Sequence, residues 1–226
     1  MTFIFFVVYW VQSVYRFVIF LSRISVSLIL YFLLIIPSAI LHEYMHGWVA
    51  DRLGDPTARY AGRLTLNPKA HIDPWGTILM PLLLFFATGG RFLFAYAKPV
   101  PFNPYNLKYQ RFGPLMVAIA GPLSNLFLAF IFGLTVRFGG VTNLTPFFSA
   151  IVYTNVLLAV FNLVPIPPLD GSKVLYALLP DSLWKVKTTL EQYGIWLLLI
   201  FMFFFFPVIE PVVNVLYWLF VGAPPV

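Results

Sequence analysis

The sequence predicts an all-α polytopic membrane protein, with about six transmembrane helices, a re-entrant or interfacial segment, and short β-strands near its functional site. Three observations lead there. Of the 226 residues, 61% are hydrophobic and only 10% are charged, too few polar groups to cover a soluble domain of this length. Several apolar runs exceed the roughly 18 residues that suggest a bilayer span. The basic residues fall in the loops between those runs.

That last placement decides what the net charge of +6 means. It follows the positive-inside bias of membrane proteins and not a phosphate-binding face, so no nucleic-acid partner is expected. Cysteine is absent, which excludes disulfides and thiolate metal ligands. The first apolar run has neither a basic leader nor a small-residue cleavage site, so residues 3–22 read as a retained segment. The chain is expected to be a single membrane-embedded domain over residues 1–226, with a core at about 24–180 and C-terminal helices at 188–222.

Residues 3–22 are apolar and aromatic, interrupted by Gln12, Ser13 and Arg16, and form a spanning or interfacial helix. Arg23 separates them from a helix over 24–50, which ends near Asp51-Arg52-Leu53-Gly54, with Gly54 as its C-terminal cap. Residues 51–74 are the most polar stretch. Alternation from Arg63 to Leu66 predicts a short strand, and Asn67-Pro68 a turn. The apolar run 75–88 is short, contains Pro81 and stops at Gly89-Gly90. Residues 91–112 are polar and basic, and prolines break any helix there. Residues 113–136 span, with small residues at Gly121-Pro122-Leu123-Ser124-Asn125 that permit close packing and an asparagine that needs a partner. Residues 147–164 span again and run into Pro165-Ile166-Pro167-Pro168, a non-helical segment tolerated at depth only against protein or a cavity. Apolar runs 193–206 and 208–222 complete the chain. The abundant aromatics read as lipid-facing bulk and interface anchors.

The chemistry centres on His42-Glu43-Tyr44-Met45-His46. Histidines four apart share one helix face, so both imidazoles reach one tetrahedral zinc, and the adjacent glutamate is placed to act as general base. Ionisable groups near the end of a spanning helix are costly and read as functional. Catalytic zinc keeps three protein ligands and one open position. The third ligand could be His71, Asp73, Asp170 or a more distant acid. Asp170 is preferred because it sits at the mouth of a span on a proline-stiffened segment, the competing reading being a helix N-cap before Gly171-Ser172. His71 could be a fourth ligand, a gate, or a loop residue bonded to Asp73, and the structural role is favoured because a fourth ligand would close the site.

Taken together, His42-Glu43-x-x-His46, Gly121-Pro122-x-x-Asn125 and Asn162-x-x-Pro165 leading into Leu169-Asp170-Gly171 resemble the site-2 protease family of membrane-embedded zinc metalloproteases. The stretches Gly62–Thr77 and Ala97–Pro104 resemble a compact bacterial branch without PDZ or CBS domains. The resemblance runs from about residue 35 to 180. It implies one Zn2+ per chain held by His42, His46 and Asp170, with Glu43 as catalytic base and Asn125 and Asn162 positioning the substrate backbone. It also implies transmembrane protein substrates, cut within or near their membrane segments, and a lipid environment. No residue pattern specifies an oligomeric state.

If Asp170 meets the two histidines, those helix ends share one side of the bilayer, and residues 51–74 and 91–112 lie there too. Run 75–90 then dips in and returns, or lies in the interface, and does not cross. Arg52, Arg59, Arg63, Lys98, Lys108, Lys173 and other basic residues fall on that side against only Arg23 and Arg137 on the other, which makes it cytoplasmic in an inner-membrane protein. An unwound substrate is expected to add as a strand along 63–66 or 92–102. Two rival classes remain. A transporter should show recurring motifs in two halves, and none is seen. A non-catalytic zinc-binding membrane protein would have little reason to keep an intact base.

Overall fold

The computed structural model of the chain describes residues 33–88 and 97–224. The expected helix over 3–22 and the start of the next lie outside these residues. Every described regular element is helical, and no strand occurs among the described residues.

Helix α1 is described over residues 33–52. It ends as predicted at Gly54, whose φ of 104° is a conformation that glycine adopts without a Cβ clash. The single turn α2 (Thr57–Tyr60) follows. The strand expected over Arg63–Leu66 does not form. Alternation makes a strand only where a neighbour completes the ladder, and here the backbone groups are spent locally. Arg63 N–H donates to Ala58 O at 2.9 Å, Asn67 N–H donates to Thr65 Oγ1 at 3.2 Å, and Thr65 O accepts from His71 Nε2 at 2.7 Å. Run 75–88 becomes a π-helical turn (Pro74–Leu79) continuing into α3 (Met80–Thr88).

Helix α4 (Gly113–Phe138) has 26 residues, so at 1.5 Å per residue it is about 39 Å long, more than a bilayer core of about 30 Å. Helix α5 (Thr145–Asn162) follows, then the proline segment 163–169 and the short helix α6 (Asp170–Leu178). The two C-terminal apolar runs join into one helical stretch of 41 residues, Asp181–Val221. It contains α7 (Trp184–Ile200), a π turn, a 3-10 turn and α8 (Glu210–Val221). Pro207 does not end it because it lies in the first turn of the 3-10 segment, where a missing N–H costs no internal bond. Three described helical stretches are long and apolar enough to cross a membrane: α4, α5 and Asp181–Val221.

Two packed clusters hold these helices. Ala129 of α4, Val152 and Val156 of α5, and Val213, Tyr217 and Val221 of α8 are buried together. Lipid gives helices no hydrophobic reason to associate, so close approach at small residues does that work. A Cβ on Gly133 would lie 2.7 Å from Phe220 Cβ. The second cluster, Ala50, Leu53, Leu107 and Val117, ties the end of α1 to α4. The outer surfaces are apolar, with Phe127, Trp196, Phe203 and Phe204 exposed. In water this surface would aggregate, whereas in lipid it is solvated.

Candidate metal centre

The helical period of α1 sorts its residues onto two working faces. His42 and His46 point at α4, with ring centroids 4.6 Å apart and planes at 87°. Glu43 and Gly47, also four apart, meet the segment 97–100: Val100 N–H donates to Glu43 Oε2 at 2.8 Å, and a Cβ on Gly47 would lie 2.9 Å from Val100 Cγ1.

Both histidines are buried and both are held through Nδ1. His46 Nδ1 lies 2.7 Å from Val117 O. A carbonyl can only accept, so this nitrogen carries the proton. His42 Nδ1 lies 2.6 Å from Asn125 Oδ1. The amide nitrogen of Asn125 donates to Asn155 Oδ1 at 2.9 Å and to Ser38 O at 3.3 Å, which turns the oxygen towards His42. The same tautomer follows for both rings, with the lone pair on Nε2. These nitrogens converge on Asp170 Oδ2, at 3.1 Å from His42 and 3.2 Å from His46.

Helix α4 is shaped to this arrangement. Val117, Gly121 and Asn125 recur every four residues along one face. A Cβ on Gly121 would lie 2.5 Å from His46 Nε2 and 2.6 Å from His42 Nε2, so only glycine leaves the space in front of both nitrogens clear. The ligand atoms of His42, His46 and Asp170 lie within 4.8 Å of one another. Two imidazole Nε2 atoms and the carboxylate oxygen that they face, with the outer nitrogens already engaged, match the donor set and supporting bonds that zinc takes.

Asp170 reaches the histidines because the proline segment delivers it to the first turn of α6. The N-cap position belongs to Leu169, without a side-chain cap bond, so the capping reading of Asp170 is set aside. A Cβ on Gly171 would lie 2.2 Å from Leu163 O, which fixes the tightness of this turn.

The remaining candidates are placed differently. The amide of Asn162 donates to Leu158 O of its own helix at 2.9 Å. His71 is buried and bonded to Thr65 O, not to Asp73, and it does not belong to the metal-capable group. Asp73 caps the π turn, accepting from Trp75 N–H at 3.0 Å and Gly76 N–H at 2.7 Å. Sequence reasoning missed Ser38, Val117 and Asn155. Asn155 did carry a signal, as an amide in an apolar span that needs a partner, but Val117 and Ser38 act through backbone carbonyls and carry none.

A sequence profile of peptidase family M50 matches residues 137–206, which include Asp170 but not His42 or His46. The chain is 40% identical over 170 residues to YwhC of Bacillus subtilis, provisionally named a zinc metalloprotease, covering 71% of this chain and 74% of YwhC. It is 30% identical over 192 residues to Rip2 of Mycolicibacterium smegmatis, also provisionally named a zinc metalloprotease, covering 81% and 70%. It is 24% identical over 159 residues to the zinc metalloprotease MJ0392 of Methanocaldococcus jannaschii, covering 70% and 37%. No solved structure matches it.

Proposed function

The chain belongs to peptidase family M50, the membrane-embedded zinc metalloproteases of the site-2 type, and from that premise we propose which of its residues do the chemistry. It is a zinc metalloprotease acting in the membrane. In this reading His42, His46 and Asp170 hold the metal and Glu43 is the catalytic base. The observation that carries it is the convergence of the two Nε2 atoms on the Asp170 carboxylate, with both Nδ1 atoms engaged behind them.

Zinc, when bound, supplies a Lewis acid for the scissile carbonyl and lowers the pKa of water. The chain's own residues supply the rest. Glu43 accepts a proton from the attacking water as its oxygen bonds to the carbonyl carbon, then delivers that proton to the amide nitrogen as the C–N bond breaks. Asn125 holds His42 in the ligating tautomer, and Asn155 and Ser38 hold Asn125. Asn162 takes part in positioning substrate. His71 and Asp73 are given structural roles in the loop.

The substrates proposed are transmembrane segments of membrane proteins. Strand addition along 63–66 is disfavoured by the missing strand; of the second expected edge, 92–102, residues 92–96 lie outside the described residues, and segment 98–101 has no free backbone amide. Lys98 N–H donates to His71 O, Val100 N–H goes to Glu43, and Pro99 and Pro101 have none.

For topology we propose about five crossings, one fewer than expected because the two C-terminal runs join into a single stretch whose far end meets Arg137 of α4, with the metal site on the cytoplasmic side of the inner membrane, supported by the basic residues that cluster on that side. Run 74–88 enters and returns on the same side, and residues 24–180 form the catalytic core of a single domain.

The deciding experiment compares wild type with Glu43→Gln, purified in detergent, on single-span model substrates, with zinc measured in both. Cleavage by wild type alone at equal zinc content supports the assignment. Cleavage by metal-loaded Glu43→Gln refutes it.

A further inference from the structure

We infer that Arg63 is a positioning residue for the catalytic glutamate, acting through a single peptide group; this rests on the reading of Glu43 as base. The peptide joining Pro99 to Val100 is gripped at both ends. Its N–H donates to Glu43 Oε2 at 2.8 Å. Its C=O faces Arg63 Nη2 at 3.4 Å, and the same nitrogen donates to Lys98 O at 2.5 Å. The peptide is trans, so its C=O and N–H point in opposite directions. A guanidinium thus stands at the carbonyl end of this dipole and a carboxylate at the amide end, each favouring the orientation that the other needs.

Three further observations make this specific. Arg63 is 7% exposed, and no carboxylate pairs with it among the described residues, which include all eight Asp and Glu of the chain. A buried cation without a counter-ion is costly. Here its compensation is two backbone carbonyls, with the Glu43 carboxylate one peptide further on. Next, Pro99 and Pro101 carry no N–H, so Val100 is the sole backbone donor of that tripeptide and its bond to Glu43 has no competitor. Finally, the segment cannot drift. Lys98 N–H is tied to His71 O at 2.9 Å, and Val100 packs over Gly47, where a Cβ would come within 2.9 Å. The bond to Val100 engages only Oε2 of Glu43, so it fixes the carboxylate while leaving Oε1 for the proton.

The test uses the full chain, zinc-loaded in detergent, with two readouts. The first is hydrogen exchange of the Val100 amide, which needs no substrate. Arg63→Gln and Arg63→Lys should each raise its exchange rate at least ~10-fold, since glutamine removes the charge and the shorter, more strongly hydrated ammonium of lysine is less able to reach the two carbonyls that Nη2 now meets. The second is cleavage of a single-span model protein tagged at both ends. Here kcat should fall ~10- to 100-fold, as displacement of a catalytic group predicts, with KM within ~2-fold and zinc content unchanged. Methylguanidinium should restore part of the lost rate to Arg63→Ala. Should that variant not fold, Arg63→Lys carries the test alone. Wild-type exchange at Val100 in the Arg63 variants overturns the inference, as does a loss of activity matched by a loss of zinc. If Glu43→Gln is inactive while the Arg63 variants cleave like wild type, the inference alone fails. If metal-loaded Glu43→Gln cleaves, the base assignment fails and takes the inference with it.

Discussion

Asn125 Oδ1 and His42 Nδ1 meet at 2.6 Å across 83 positions of sequence, and this contact sets which nitrogen of His42 faces His46 and Asp170 in the candidate metal centre. Removing the amide leaves a buried N–H unpaired and frees the ring to turn. Loss of such a supporting bond typically costs 10- to 100-fold in metal affinity. Asn125→Ala should therefore weaken zinc binding by about that factor, measured by competition with a chromophoric chelator. Asn155→Ala, one step further out, should produce a smaller loss of the same kind. Wild-type affinity in Asn125→Ala would show that the ring is held by packing alone.

Gly121→Ala should separate folding from metal binding. The added methyl would sit 2.5 Å from His46 Nε2 and 2.6 Å from His42 Nε2, so the rings must move out of the ligating position. Alanine is a better helix former than glycine, and the change adds one methyl to a long helix. The expected variant keeps its helical circular dichroism and loses most of its zinc and its activity. Full zinc occupancy would mean that α1 and α4 can separate enough to admit the methyl group.

How far the site could be read from sequence follows from what each residue contributes. His42, Glu43 and His46 are legible because a helix turns their spacing into geometry without further information. Asp170 is legible only by its setting, since nothing local says that α6 folds back onto α1. Gly121 reads as a packing residue. Its second role, clearing space for two imidazoles, depends on the depth at which α1 and α4 cross. The Arg63–Leu66 strand is not legible because alternation describes side chains, while strand formation depends on where the backbone bonds go. The pairing of Arg63 with the Pro99–Val100 peptide joins two loops whose relative placement no local pattern encodes.

Asp55 ties the loop that carries Val100 to the end of α1, and its stability contribution should be lost in acid. Its buried carboxylate accepts from Asn103 N–H at 2.6 Å, Asn106 Nδ2 at 2.9 Å and both the hydroxyl and the N–H of Thr57. Burial alone would raise its pKa, but these bonds outweigh it and hold the carboxyl below its ordinary value. A lowered folded pKa means that the contribution is complete above the unfolded value of about 3.9 and is lost as pH falls through the folded value. Asp55→Asn should cost ~1–3 kcal/mol at neutral pH, the range for leaving buried partners unsatisfied. The gap in Tm between wild type and variant should narrow as pH drops below about 4. A gap that stays constant into acid would assign the loss to packing.

The absence of cysteine makes the proposed topology directly measurable with single-cysteine variants. Tyr105, between the segment that carries Val100 and α4, is 85% exposed, and Val141, between α4 and α5, is 97% exposed. Helix α4 separates them and is long enough to cross the bilayer, so the two positions should label from opposite sides. With basic residues concentrated on the Tyr105 side, that side should be cytoplasmic. In intact cells an impermeant maleimide should therefore modify Val141→Cys and leave Tyr105→Cys untouched until the membrane is opened. The reverse pattern would put the metal site outside and invert the orientation. Labelling of both positions in intact cells would mean that α4 does not cross, which would undo the argument from its length and the side assignments built on it.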